Sequence, residues 1–189
     1  MRRFIFNLVS VLFSAVKFGV MKLFHFHHFF YSGVQRFSPN TEVVIAEGGA
    51  IRLGRHVRAH RRSKLLAMDG GTLEIGSNTA LGNGVSVNCM ESIVIGEGVQ
   101  IGPDTKIYDH DHDYRVPGGI GAGKFVTAPV TIGDNSWIGC NVVILRGTTI
   151  GKNCIAGAGS VLKGTYPDNS VIVQKRQTTV TVYPAGTEK

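Results

Sequence analysis

Residues 107–115 read "IYDHDHDYR", with two histidines and three aspartates in five consecutive positions, Asp109 to Asp113. Histidine titrates near neutral pH, so it can take a proton from a weak nucleophile and hand it on. On an extended segment His110 and His112 share one side, and Asp109, Asp111 and Asp113 take the other. Three chemistries fit such a cluster: a metal centre, a general base on a loop, or a solvated turn. A metal centre needs three or four converging ligands, and no histidine follows His112 to supply them. The expectation is no metal and a histidine base beside a crevice. Cysteine chemistry is not expected. Cys89, Cys140 and Cys154 are too scattered for a disulfide scaffold or a zinc ribbon.

The elements that must hold this cluster repeat every six residues. Leu53, Ala59 and Leu65 form one aliphatic set, Ile75, Leu81 and Val87 a second, and Ile95, Ile101 and Ile107 a third. Ile132, Ile138, Ile144, Ile150, Ala156 and Leu162 then follow without a break. Three residues after nine of these aliphatics come Asn78, Gly84, Gly98, Asp104, Asn135, Asn141, Gly147, Asn153 and Gly159, types that tolerate positive φ. One position further on, the side chain is small or β-branched, as in Val57, Ser63, Thr79 and Thr105. A short strand plus a tight corner, taken three times, makes one coil of a triangular prism whose backbone pairs with the coils above and below. The period therefore predicts an all-β parallel β-helix. Cys154 falls on an inward position and Cys140 on an outward one near Trp137.

The motifs "AIRLG", "TLEIG", "SIVIG" and "PVTIG" start successive coils at steps of 22, 20 and 37 residues, counted on their final glycines. The long step holds an insertion over about 109–127, rooted at the aspartate–histidine run and continuing as the Gly-rich "VPGGIGAGKF". Long loops on rigid repeats are where function concentrates.

The first 35 residues are apolar and aromatic, with Asn7, Ser10, Ser14, Lys17, His25 and His28 spaced as one narrow polar stripe. This predicts an amphipathic helix, either lying on a membrane or packed on the prism. Lys17 and Lys22 argue against a transmembrane span, and no small-x-small cleavage site supports a signal peptide. The formal charge of +7 favours anionic partners. "RHVRAHRRSK" (55–64) sends Arg55, Arg58, Arg61, Arg62 and Lys64 outward, which suits an anionic bilayer. No stacking aromatics alternate with these charges, so nucleic acid is not an expected partner. The organisation expected is a helical segment 1–35, a β-helix 36–170 and a tail 171–189.

Residues 70–170 resemble the left-handed β-helix acetyltransferases with hexapeptide repeats, above all in "VTIGDNSWIGCNVVILRGTTIGKNCIAGAGSVL" and "IGPDTKIYDHDHDY". The nearest pattern is that of the sugar and polysaccharide O-acetyltransferases. The resemblance implies a left-handed coil, acetyl-CoA as co-substrate, a hydroxyl acceptor and a homotrimer with sites between chains. Counting from Ile107, it puts the catalytic base at His112, with His110 the near alternative and Asp113 or Asp111 as candidates to orient the ring. It implies acceptor contacts at Asn88 and Trp137, and Arg115 is a further candidate. It implies CoA contacts at Trp137, Cys140, Ala158 and Lys163. The family's "GNPAK"-like adenine turn is replaced by "VIVQKRQTTVTVYP", where Lys175 and Arg176 are candidates for the phosphates. The acceptor expected is a glycan or lipid-linked glycan, at the cytoplasmic face of a membrane. A small soluble sugar or antibiotic, or a non-catalytic scaffold, are the alternatives.

Overall fold

The computed structural model describes residues 2–175, 177 and 179–181. Three parallel sheets of seven, seven and six strands wrap into a left-handed β-helix, with one helix at its N-terminal end. The first sheet runs from Phe29–Tyr31 to Thr165–Tyr166, the second from Arg36–Phe37 to Val171–Ile172, and the third from Glu42–Ile45 to Val161–Leu162. The chain visits them in that order on every coil. Register follows the aliphatics: Ile95 pairs with Ile132 and Ile75, and Ile132 with Ile150.

All fifteen repeat aliphatics are buried, and so are Val57, Ser63, Thr79 and Thr105. The corner positions adopt the left-handed conformation, as at Asn78 (φ 62°), Asp104 (φ 59°) and Asn153 (φ 54°). On the first full basic coil the same corners fall on His56 (φ 57°) and Arg62 (φ 60°), side chains that pay more for that geometry. Gly139 meets the other constraint of a stacked coil. A Cβ there would lie 2.6 Å from the Ala158 nitrogen.

Two boundaries differ from the sequence expectation. Helix α1 (Arg2–Phe24) ends early and the first strand begins at Phe29, so the coil already includes residues assigned above to the helical segment. At the other end the coil continues past 170, through the strand Val171–Ile172. There the Gln174 side chain stands in for a missing strand: Nε2 donates to Val161 O (2.6 Å) and Oε1 accepts from Val161 N (2.9 Å).

The orientation of α1 decides what its polar stripe does. Ser10, Ser14 and Phe18 are buried against the first coil. Ser14 Oγ accepts from Phe37 N (2.8 Å), and Lys17 Nζ donates to Thr41 O (2.8 Å). Lys22 Nζ donates to Phe29 O (3.0 Å). The Phe18 ring packs edge-on against Phe29 and Phe37, at 5.1 and 4.9 Å between centroids. The stripe thus pairs backbone groups that have no coil beneath them, as buried polar groups require. The apolar side of α1 is turned outward.

Candidate active site

The insertion is a β-arm. His110–His112 pairs antiparallel with Phe125–Thr127, and Ala128 N donates to Asp109 O to close its root. The second strand begins at Phe125, the last residue of the Gly-rich run. Its partner is supplied by the arm itself, which a local reading of "AGKFVT" misses. A short 3-10 turn, Gly119–Ala122, lies near the tip.

Alternation from Ile107 carries Tyr108 out and Asp109 in, and Asp109 is fully buried. A buried carboxylate needs donors, and this one has a full set. Its oxygens accept from the backbone N–H groups of Met90 (2.9 Å), Glu91 (2.8 Å) and Ser92 (2.9 Å). His110 Nδ1 lies 3.0 Å from Asp109 Oδ1. Burial alone would raise the carboxyl's pKa. The bonds from His110, Glu91, Met90 and Cys89 outweigh it and hold the group below the usual carboxylate range. Asp109 is therefore an ionised acceptor, so His110 must carry its proton on Nδ1. Nε2 is left as the basic nitrogen of the ring.

The His110 side chain retains 14% exposure, set edge-on to Phe125 (5.5 Å) and Tyr108 (6.0 Å). His112 shares that side of the arm, tilted over Phe125 at 4.6 Å, and is exposed. The two histidines do lie together, but the orienting carboxylate differs from those nominated. Asp111 Oδ2 accepts from Arg146 Nε (2.6 Å), and Asp113 Oδ1 from Arg115 Nε (3.0 Å). Neither touches a ring. Each lies on the outer side of the arm, where arginines reach it first.

Burial, then the Asp109 charge, pushes the Cys89 thiol upward, so it stays protonated at neutral pH. Cys154 is buried with Sγ 3.1 Å from Pro167 O, and Cys140 is exposed. Among the described residues no group of three His, Cys, Asp or Glu converges as a metal site.

The remaining nominated residues fall along two different edges of the prism. Asn88, aligned with Tyr108 in the next coil, follows the third sheet toward the first, as do the arm root and Lys163. Arg146, missed in the sequence, lies on the same edge and ties the arm to the coil above it. Trp137, 57% exposed, stands on the second sheet above Gln100 and below Ile155. Cys140 and Ala158 stack just beyond it, at the turn into the third sheet, where Gly159 N donates to Cys140 O. A groove of about 200 Å³ beside Trp137 is lined by His60, Gly82, Gln100 and Gly102 among others. Within one chain, then, His110 and His112 stand on a different edge from the Trp137 groove. Lys175 is exposed after the last strand, and Arg176 lies outside the described residues.

Residues 129–164 match the family described as bacterial transferase hexapeptide (six repeats). This chain is similar to that hexapeptide-repeat family over the coils that follow the arm. Relatives agree with it. A Mycobacterium tuberculosis protein named "Probable acetyltransferase" is 35% identical over 126 residues, 65% of this chain and 41% of its own length. The Escherichia coli protein named "Putative lipopolysaccharide biosynthesis O-acetyl transferase WbbJ" is 29% identical over 68% of this chain and 69% of its own. This chain thus spans less than half of the first relative. Among solved structures, AntD, an N-acyltransferase from Bacillus cereus solved with dTDP and coenzyme A, superimposes with a TM-score of 0.64. It is 20% identical over 82% of this chain and 84% of its own, a likeness of fold.

Proposed function

We propose that this chain is an acetyl-CoA-dependent O-acetyltransferase acting on a hydroxyl of a glycan, with His110 as general base. The observation that carries the reading is the His110–Asp109 pair: a largely buried imidazole whose tautomer is set by an ionised, fully buried carboxylate. It stands on a fold whose relatives bear acetyltransferase names, one of them from lipopolysaccharide biosynthesis. His112, preferred on sequence, has no such partner and becomes a wall of the site.

A sugar hydroxyl attacks a thioester only as its proton leaves. Nε2 of His110 takes that proton while the acceptor oxygen bonds to the carbonyl carbon. The C–S bond then breaks and the imidazolium returns the proton to the departing thiolate, giving an acetyl ester and free CoA. The imidazolium formed midway is stabilised by Asp109. No acyl-enzyme is required, and the buried cysteines are unsuited to one.

Acetyl-CoA fits the second-to-third edge. Trp137 offers an exposed apolar ring there, and the small, exposed Ala158 leaves room beside it for an extended arm. Lys175, exposed after the last strand, is a candidate for the phosphates. Because this edge is remote from His110 along the coil, a complete site needs a second chain. A homotrimer, with His110 of one chain facing Trp137 of the next, supplies it. Acetyl-CoA as co-substrate makes the working compartment cytoplasmic.

The test is acceptor-dependent thiol release from acetyl-CoA, over a panel of oligosaccharides, free sugars and nucleotide-linked amino sugars. The reading expects release with a glycan and a product whose acetyl group is lost in mild alkali, as an ester is. An alkali-stable amide product would make the chain an N-acetyltransferase. Failure to bind CoA would leave a scaffold.

A further inference from the structure

Charge is divided sharply along this chain. Residues 1–64 carry eleven Lys and Arg against two Glu, a net of +9, and the rest carry nine against eleven, a net of −2. The positive part is α1 with the first coils. The outer side of α1 shows Leu8, Leu12, Val16, Val20, Leu23 and Phe24 to solvent, with Val16 70% exposed. Arg55, Arg61 and Arg62 are exposed nearby, and no carboxylate pairs with them among the described residues. Arg61 lies over the Phe6 ring of α1, 4.8 Å from its centroid, which brings this cationic band to the helix itself.

We propose that the outer face of α1 docks in the plane of an anionic lipid bilayer and stands the prism upright on it. A second copy is a poor occupant, because apposing two such faces brings +9 against +9. A bilayer accepts the aliphatic row, and its anionic headgroups accept the flanking arginines. Although Ile5–Phe24 is long and apolar enough to span a membrane, the Ser14–Phe37 bond and the Phe18 ring fasten the opposite face to the first coil. The helix is thereby held as a surface element. Strands stack about 4.8 Å apart, so His110, beside the fourth strand of its sheet, stands about 14 Å above the first coil. With α1 beneath, the height above the lipid is about 25 Å. If the proposed function holds, that height selects the outer sugars of a membrane-attached glycan rather than the headgroup itself.

The experiment is co-sedimentation of the full chain with phosphatidylglycerol/phosphatidylcholine vesicles and with phosphatidylcholine alone, read by gel. Binding to the anionic vesicles at low salt is expected, weakened by high salt and released by alkaline carbonate. Leu12→Glu/Val16→Glu should reduce partition by about tenfold or more. Arg55→Gln/Arg62→Gln should reduce it less, and only on anionic vesicles. Both variants keep the parent's circular dichroism and oligomer size. Indifference of the parent to vesicles overturns the proposal, and so does unchanged binding by Leu12→Glu/Val16→Glu. A smaller species for that variant in light scattering would assign the face to other copies of the chain. Resistance to carbonate would make α1 a span. None of these readouts depends on catalysis, so they separate from failure of the acetyltransferase reading.

Discussion

Asp109 and Ser14 do the same job at two places where the coil is interrupted. At the arm, the excursion leaves the Met90, Glu91 and Ser92 N–H groups facing inward at a corner, and the Asp109 carboxylate takes all three. At the N-terminal end no coil lies below the first, and Ser14, Lys17 and Lys22 take its backbone groups instead. What each leaves outside differs. The arm root presents an oriented imidazole on a short, double-stranded platform. The helix presents a row of aliphatics. The same repair of a broken repeat yields a chemical group in one case and a docking surface in the other. In both, the inward residues are structural, and the outward ones are free to act.

Substitutions at the inward positions break this pairing most severely. Phe18→Ala removes the ring that plugs the open end of the prism and should cost about 4 kcal/mol in denaturant unfolding. Turnover per folded molecule should be unchanged. Asp109→Asn leaves buried N–H groups short of acceptors and should cost about 2–3 kcal/mol. Unlike Phe18→Ala, it should also impair turnover and shift its pH profile, because His110 loses its anchor. The sign of the acid response is fixed by the depressed carboxyl. Asp109 contributes stability above its unfolded pKa, near 3.9, and that contribution is lost as pH falls through the lower folded value. Wild-type melting should therefore drop in that acid range, and Asp109→Asn should flatten the drop. Ser14→Ala should cost about 1 kcal/mol, with no effect on chemistry. The smallest effect expected is a change of rate: acetyl-CoA should slow maleimide labelling of Cys140. Cys89 and Cys154 should stay unlabelled in the native protein. Equal labelling of Cys140 with and without acetyl-CoA would detach the cofactor from that edge.

The coil was legible because two constraints repeat together. Every sixth residue must fill a dry axis, and every corner needs positive φ; Asn, Asp and Gly met the second visibly. The insertion was legible as a break in count, but its hairpin was not, since Phe125–Thr127 pairs across twelve residues of sequence. Asp109 was readable in principle. Alternation from Ile107 points it inward, and an inward carboxylate beside a histidine is a signal of orientation. The sequence reading instead looked to Asp111 and Asp113, which arginines distant or adjacent in sequence had claimed. The polar stripe held within α1 at Ser10, Ser14 and Lys17, whereas His25 and His28 lie beyond the end of the helix. Its direction was not legible, because only the open edge of the first coil makes serines and a lysine the better inward face.

The measurement closest to the heart of this reading compares His110→Ala with His112→Ala in acceptor-dependent CoA release, alongside CoA affinity. With His110 as the base, His110→Ala should lower kcat roughly a hundredfold or more while CoA binding holds. His112→Ala, which removes only a ring stacked on Phe125, should lower it by only about a few-fold. A hundredfold loss that follows His112 and spares His110 would contradict the role given to the Asp109–His110 pair and restore the base to the position counted from Ile107.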